Sequence, residues 1–332
     1  MMMQTALPGI KTFFRNCPLA NASRDMVIRL MIAFITHRGR MSCSQAAVAV
    51  TSDGRHRAAV TRFLASCALA NSGEAYLPLA RNVVAMESRR RGRWILIVDK
   101  TCCSRQGTRT ENTFSTGNRQ RRPRKGRRYN QKKNAPKRCH GFVMGLIITP
   151  SGHRIPFHRC YYTKDYCDQK GLPYATEAEL AAQLILAVPI PEGVEVVVLG
   201  DTAYEAQSVR DACAQRGYHW ITPVNPERVL AGEKPRPKVR SRIKDLTAER
   251  FSTIRLVPGQ GPYVAQRRAS ACRIGPKPKT RTFYACRERL HVHSVGDVLV
   301  VFSTKEQLRN GKPSELDKTK ILMTNHLDLS LR

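Results

Sequence analysis

The sequence predicts an α/β protein built around a mixed β-sheet with helices on its faces. Two apolar runs, Trp94 to Val98 and Val194 to Gly200, are rich in β-branched residues and have the composition of strands buried on both faces. A hairpin pattern lies between them, and alternating helix and strand patterns follow, an order typical of a mixed sheet. The chain of 332 residues is long enough for one large core and a smaller attached domain.

Residues 1–90 are predicted to form a helical region. Asn21 to Thr36 carries apolar residues at helical spacing after an Asn or Ser cap. Two shorter helices, SCSQAAVAV and HRAAVTRFLASC, are predicted on either side of a turn at Ser52 to Gly54. With arginines on the second helix, this pair resembles a DNA-binding helix-turn-helix, and a helical hairpin that only packs is the alternative.

Residues 91–225 carry the predicted core. Its first strand ends in Asp99, and the next two strands, HGFVMGLIIT and HRIPFHRCYY, are joined by turn residues at Pro150 to Gly152. Thr176 and Glu179 form a capping box that opens the helix TEAELAAQLILAV. The fourth strand, VEVVVLG, is followed by Asp201, and a further helix leads to the fifth strand, YHWITPV.

Residues 226–332 are predicted to form a strand-rich basic insertion and not a continuation of the alternating pattern. The segment begins with the basic, proline-rich run KPRPKVRSRIK. Strands are predicted at Arg281 to His293, at Val295 to Ser303 and in KTKILMTN.

The charge of the chain points to a polyanionic partner. It contains 57 Lys and Arg against 25 Asp and Glu, a formal net charge of +32. A folded protein with this imbalance repels itself unless it meets a polyanion, most commonly DNA or RNA. A generally basic proteome, or a structural protein of the kind found in ribosomes, is the alternative.

The densest basic stretch, RRPRKGRRYNQKK, lies in a loop predicted over residues 104–138. A solvated loop and a nuclear-localisation signal are its alternative interpretations. We expect the stretch to contact the DNA backbone and to contribute affinity without choosing a sequence. The expected DNA-binding residues are Arg121, Arg122, Arg124, Lys125, Arg127, Arg128, Lys132 and Lys133.

Cysteine usage and hydropathy favour a cytoplasmic protein. The eleven cysteines form no C-x-x-C pair, and the N-terminus has no apolar core of signal-peptide length. The longest apolar stretches are too short or too charged to span a bilayer, so no membrane partner is expected. Six Cys and His residues could form a zinc site, but they lack the closely paired spacing of zinc ligands. Thiols in the core and histidines on strands are therefore the favoured interpretation. The six residues would be Cys139, His140, His153, His158, Cys160 and Cys167.

Two of the predicted buried strands each deliver one aspartate, Asp99 and Asp201, at the C-terminal edge of the sheet. Open α/β sheets bind their ligands at this edge. Either residue alone could simply cap a turn. Side by side they would repel each other, and a hard divalent cation, Mg²⁺ or Mn²⁺, is the usual compensation. Such ions can activate an attacking hydroxyl and stabilise the leaving oxygen of a phosphodiester.

The segments WILIVDKT, HGFVMGLIITPSGHRIPF and VVVLGDTAYEA resemble the catalytic core of bacterial insertion-sequence transposases of the DDE type. The resemblance covers roughly Phe63 to the end of the chain. It implies an RNase H-like fold and metal-dependent cleavage and transfer of DNA strands, with Asp99 and Asp201 as the first and second metal-binding catalytic carboxylates. It also implies double-stranded DNA of transposon ends and target as the partner, an active homo-oligomer, and a nucleoid-associated location in the bacterial cytoplasm.

One departure from the family concerns its third acid, a Glu in a Tyr-x2-Arg-x3-Glu-x6-Lys pattern on a helix. The matching spacing after Tyr284 and Arg287 places His291 where Glu is needed. Glu306 and Glu315 could substitute only if the fold departs from the family. We therefore expect a truncated copy whose third carboxylate lies beyond Arg332, with poor or no catalysis. A catalytically inactive DNA-binding remnant or repressor of transposition, and an RNA-binding or RNase-type protein of the same fold, are the alternatives.

Overall fold

The computed structural model describes residues 21–36, 43–50, 57–66, 73–104, 111–116, 137–232, 236–256, 281–305 and 319–330. The chain divides into two compact units, residues 1–89 with 189–191, and residues 90–188 with 192–332. In the described residues, no helix is long and apolar enough to cross a membrane.

The described part of the first unit contains four helices. They are α1 (Asn21–Thr36), α2 (Cys43–Val50), α3 (Arg57–Ser66) and α4 (Gly73–Glu87). Leu30, Ala33 and Val60 are among the buried side chains that hold α1, α2 and α3 together. The predicted helix at Asn21 to Thr36 is confirmed. The turn at residues 52–54 lies outside the described residues, and a helix-turn-helix stays a prediction.

The second unit is organised by one large mixed sheet. Its strands are β1 (Trp94–Ser104), β2 (Phe114–Thr116), β3 (Lys137–Ile148), β4 (Arg154–Tyr161), β5 (Val196–Gly200), β6 (His219–Pro223), β7 (Ser252–Leu256), β8 (Arg281–Val292), β9 (Gly296–Thr304) and β10 (Lys320–Thr324). The strand order is β2-β3-β1-β5-β6-β10-β9-β8-β7, and β4 also pairs with β3. The pairs β1–β5 and β5–β6 are parallel, and the others are antiparallel.

Three α-helices accompany this sheet, α5 (Lys164–Lys170), α6 (Glu177–Ala187) and α7 (Gln207–Gln215). The predicted α/β class with a mixed sheet is thus confirmed. The strands after residue 225 join the same sheet through the antiparallel pair β6–β10, while the alternation of helix and strand stops at β6.

The first core strand is longer than predicted, because it does not end at Asp99. The end of the apolar run predicts that the strand stops there. β1 instead continues to Ser104, since its antiparallel pairing with β3 runs on to the pair Ser104 and Cys139. Asp99 therefore lies within β1, at the point where the parallel partner β5 has ended but β3 has not.

The two faces of β1 differ in burial. Trp94, Leu96 and Val98 are almost fully buried, and the alternate residues are only half-buried or exposed. Gly145 on β3 faces Val98, and Leu184 of α6 packs against that glycine. The predicted capping box that starts α6 is confirmed, with the Thr176 hydroxyl accepting from the Glu179 N–H and the Glu179 carboxylate accepting from the Thr176 N–H.

Candidate functional site

The strand register places Asp99 next to Asp201. The parallel ladder between β1 and β5 ends with the pair Val98 and Gly200. Asp99 is the next residue of β1, and Asp201 is the first residue after β5. Neighbouring strands lie about 4.8 Å apart. Both aspartates are exposed, so the structure brings them together at an open, solvent-facing edge of the sheet.

Each aspartate is held by a backbone N–H through one carboxylate oxygen. Oδ1 of Asp99 accepts from the Lys100 N–H at 2.8 Å. Oδ1 of Asp201 accepts from the Ala203 N–H at 2.9 Å and thereby caps a short 3₁₀ turn, Thr202–Tyr204. Among the described residues, Oδ2 of each aspartate has no hydrogen-bond partner, so one hard oxygen donor per aspartate is free to face a ligand.

Tyr204 fills the space beside the second aspartate. Its side chain is almost fully buried, and Gly200 allows the close approach because an added Cβ there would lie 3.0 Å from the Tyr204 Cβ. Burial raises the pKa of the Tyr204 hydroxyl, and the negative charges of Glu177, Asp201 and Asp99 raise it further. Glu177 thus acts on the Tyr204 hydroxyl together with the two aspartates.

Glu177 is engaged with Lys100, the residue that follows the first aspartate. The Lys100 Nζ donates to Glu177 Oε1, and both side chains are about one quarter to one third exposed, at 25% and 30%. The same ammonium lies 4.6 Å from the ring centroid of Tyr161 and 4.9 Å from that of Phe114. Such positions over ring faces are favourable for a cation.

A small cavity of about 10 Å³ is lined by Val98, Gly200, Tyr204 and Arg210 among others. A space of this size holds at most one water molecule. The Tyr204 hydroxyl and one guanidinium nitrogen of Arg210 are buried there without a hydrogen-bond partner. Both aspartates are exposed beside this packed interior, a geometry that suits an extended ligand lying across the surface.

The eight basic residues between Arg121 and Lys133 lie outside the described residues, as do Glu306 and Glu315, so their predicted roles stay predictions. His291, which occupies the family's Glu position in the matching pattern, lies on β8 and its Nδ1 is 2.6 Å from Asp297 Oδ1.

The six candidate zinc residues are not assembled into a site. In the part of the chain that the structure describes, no group of three or more His, Cys, Asp or Glu side chains is placed to hold a metal ion. Cys139 and Cys167 are buried thiols in β3 and α5, and Cys160 lies opposite Phe142 within a strand pair.

The sequence matches no known protein-family model, and no curated protein matches it.

Sequence reasoning missed Lys100, Glu177 and Tyr204 as parts of the site. Two signals were available in hindsight. Lys100 directly follows the predicted aspartate, and Glu177 follows the predicted N-cap Thr176, which places it in the first turn of α6. Nothing local in the sequence pairs these two residues, because 77 positions separate them.

Proposed function

We propose that this chain is a DNA transposase with an RNase H-like core, which cleaves and transfers DNA strands through Asp99 and Asp201. The observation that carries the proposal is the register of β1 and β5, which sets the two carboxylates side by side at the C-terminal edge of parallel strands. The strand order β4-β3-β1-β5-β6, with only β3 antiparallel among these five, is the order expected of an RNase H-like sheet and supports the same conclusion.

The donor set suits a hard divalent cation. Mg²⁺ is commonly held by one or two carboxylates, with water and substrate phosphate oxygens completing its shell. Asp99 and Asp201 each offer one carboxylate oxygen that is not engaged by a described hydrogen-bond partner. These two residues would therefore hold Mg²⁺ or Mn²⁺, which when bound supplies Lewis-acid stabilisation of charge on the phosphodiester oxygens.

The remaining contribution of the chain is orientation and charge. The Lys100 and Ala203 N–H groups fix one oxygen of each aspartate, so the other oxygens are presented without further rearrangement. The excess of basic residues attracts double-stranded DNA and brings its backbone to the exposed sheet edge. Most of this attraction is independent of DNA sequence and is weakened by salt.

A second candidate is a protein that binds DNA without cleaving it, such as a repressor of transposition. The pairing of Glu177 with Lys100 favours this candidate, because this carboxylate is occupied by a cation and is not offered to a metal. Both candidates share the DNA partner and differ only in chemistry at Asp99 and Asp201.

A supercoiled-plasmid nicking assay with Mg²⁺ or Mn²⁺ distinguishes them. The missing third carboxylate predicts weak nicking at most. Any nicking by a transposase should be lost in Asp99→Asn and in Asp201→Asn, and should persist in Asp211→Asn, a matched exposed aspartate on α7. Nicking that survives Asp201→Asn would contradict the proposal. Salt-sensitive DNA binding in gel shifts with no nicking by the unaltered chain would establish the second candidate, and no DNA binding would refute both.

A further inference from the structure

The ammonium group of Lys100 is enclosed by groups from three different elements. Glu177 of α6 accepts its hydrogen bond, and the rings of Phe114 on β2 and Tyr161 on β4 lie against it. The two rings pack edge to face, with centroids 5.6 Å apart and planes at 80°. A lysine on a protein surface normally keeps much of its rotamer freedom. This one is held by three side chains, Glu177, Phe114 and Tyr161. Together with Lys100 they form what we call the Lys100 clamp.

The rings of the clamp are seated on the backbone of β3. An added Cβ at Gly141 would lie 3.0 Å from Phe114 Cε1 and 3.1 Å from Tyr161 Cδ1, closer than ordinary contacts of 3.4–4 Å. Only a glycine lets both rings approach the strand this closely. The clamp therefore has a rigid base and does not depend on loose surface contacts.

The clamp holds the side chain of Lys100, and the backbone N–H of the same residue is hydrogen-bonded to the first aspartate, Asp99. Successive side chains of a strand point to opposite faces, so Lys100 and Asp99 extend from opposite sides of β1. They are nevertheless linked, because the Lys100 N–H donates to Asp99 Oδ1 at 2.8 Å. The clamp restrains the Lys100 side chain on one face, and the N–H of the same residue holds the carboxylate on the other face, so a restraint on Lys100 reaches that carboxylate through one hydrogen bond.

We propose that Lys100 is a positioning residue, whose clamped side chain orients the Asp99 carboxylate through the backbone. The proposal rests on the proposed function in one respect, namely that Asp99 and Asp201 hold a metal ion. It makes a prediction opposite in sign to that of simple electrostatics. A nearby cation repels a metal ion, so its removal should strengthen metal binding if Lys100 acts only through its charge. If Lys100 positions Asp99, its removal should weaken metal binding.

The test is a titration of the full chain with Mn²⁺, followed by electron paramagnetic resonance. We expect Lys100→Met to weaken Mn²⁺ binding about tenfold, at the low end of what loss of an outer-shell partner costs. Glu177→Gln should also weaken it, and the double variant should be no weaker than the worse single variant. Lys100→Arg should retain most of the affinity. Arg93→Met, which breaks the Arg93–Glu195 ion pair next to the other end of β1, should leave it unchanged.

A second readout does not require a metal. Hydrogen–deuterium exchange, measured by mass spectrometry in peptides spanning Asp99 to Thr101, should accelerate in Lys100→Met and Glu177→Gln but not in Arg93→Met. Unchanged exchange in these two variants, or stronger Mn²⁺ binding by Lys100→Met, would overturn the positioning role. If the unaltered chain binds no Mn²⁺, or if Asp99→Asn binds it equally well, the proposed function fails, and the exchange data still decide the role of Lys100.

Discussion

The contact between Gly145 and Leu184 determines how closely α6, which carries Glu177, can approach the sheet. An added Cβ at Gly145 would lie 2.4 Å from Leu184 Cδ2 and 3.3 Å from Leu184 Cγ, whereas ordinary contacts begin at 3.4 Å. A methyl group at this position requires a displacement of about 1 Å by the leucine or by the helix. Leu184 is only 2% exposed, so its methyl groups have no open space into which to move.

We therefore expect Gly145→Ala to lower the free energy of unfolding by about 1–3 kcal/mol, the usual cost of overpacking a close-packed core. Leu184→Ala should cost about 2–5 kcal/mol, because it leaves a cavity under the helix. In the double variant the new methyl group occupies part of that cavity. The combined loss should then be smaller than the sum of the two single losses by about 1–2 kcal/mol.

Urea unfolding followed by tryptophan fluorescence measures these losses of stability in the second unit of the chain. The chain has two tryptophans, and both, Trp94 and Trp220, are buried in the sheet of the second unit. Leu186→Ala on the same helix is the matched control, because Leu186 is exposed and its truncation should change the unfolding free energy by at most about 0.5 kcal/mol. Strict additivity of Gly145→Ala and Leu184→Ala, or a neutral Gly145→Ala, would refute the argument from the close contact.

Three further predictions concern titration, an ion cluster and thiol reactivity. Burial, and then the charge of His326, whose ring stacks on His219, lower the pKa of His219, so the unfolded chain binds the proton more readily than the folded chain. The contribution of His219 to stability should be complete above an unfolded-state pKa of about 6.5 and should decrease as the pH falls below it. His219→Gln should reduce the difference between the urea midpoints measured at pH 5 and pH 8. Glu288 is 13% exposed and pairs with two arginines, so Glu288→Gln should lower the free energy of unfolding by about 1–3 kcal/mol. Asp245 is 59% exposed, and Asp245→Asn should lower it by less than about 0.5 kcal/mol. Equal losses in urea unfolding would contradict this prediction. Burial raises the pKa of Cys213 to about 12, so alkylation at pH 8 with mass-spectrometric mapping should modify the exposed cysteines of β1 and spare Cys213.

Local signals in the sequence were sufficient to predict the parts of the fold that local physics determines. β-branched apolar runs marked the buried strands that contain Trp94, Leu96 and Val98, and the capping-box pattern marked the start of α6. The neighbouring positions of Asp99 and Asp201 also followed from the strand order, since parallel strands end at the same edge of a sheet.

Features that depend on distant partners could not be predicted in this way. The continuation of β1 to Ser104 depends on the length of β3, and residues 101–103 are exposed, so no apolar run marks this part of the strand. The attachment of β10 to the sheet depends on contacts such as the Trp220 N–H donating to Asn325 Oδ1 at 2.8 Å, across 105 positions of sequence. No periodicity within either segment contains that information.

Lys100 shows why charge counts alone did not describe the site. It is one of 57 basic residues in the chain, and a count of charges does not distinguish it from the others. The structure distinguishes it by what surrounds it, because Glu177 neutralises its charge and two rings on β2 and β4 hold its ammonium group. A cation neutralised in this way contributes little to the attraction of DNA. If Lys100 positions Asp99 as proposed, it acts through the backbone hydrogen bond, and geometry, not net charge, decides what this residue does.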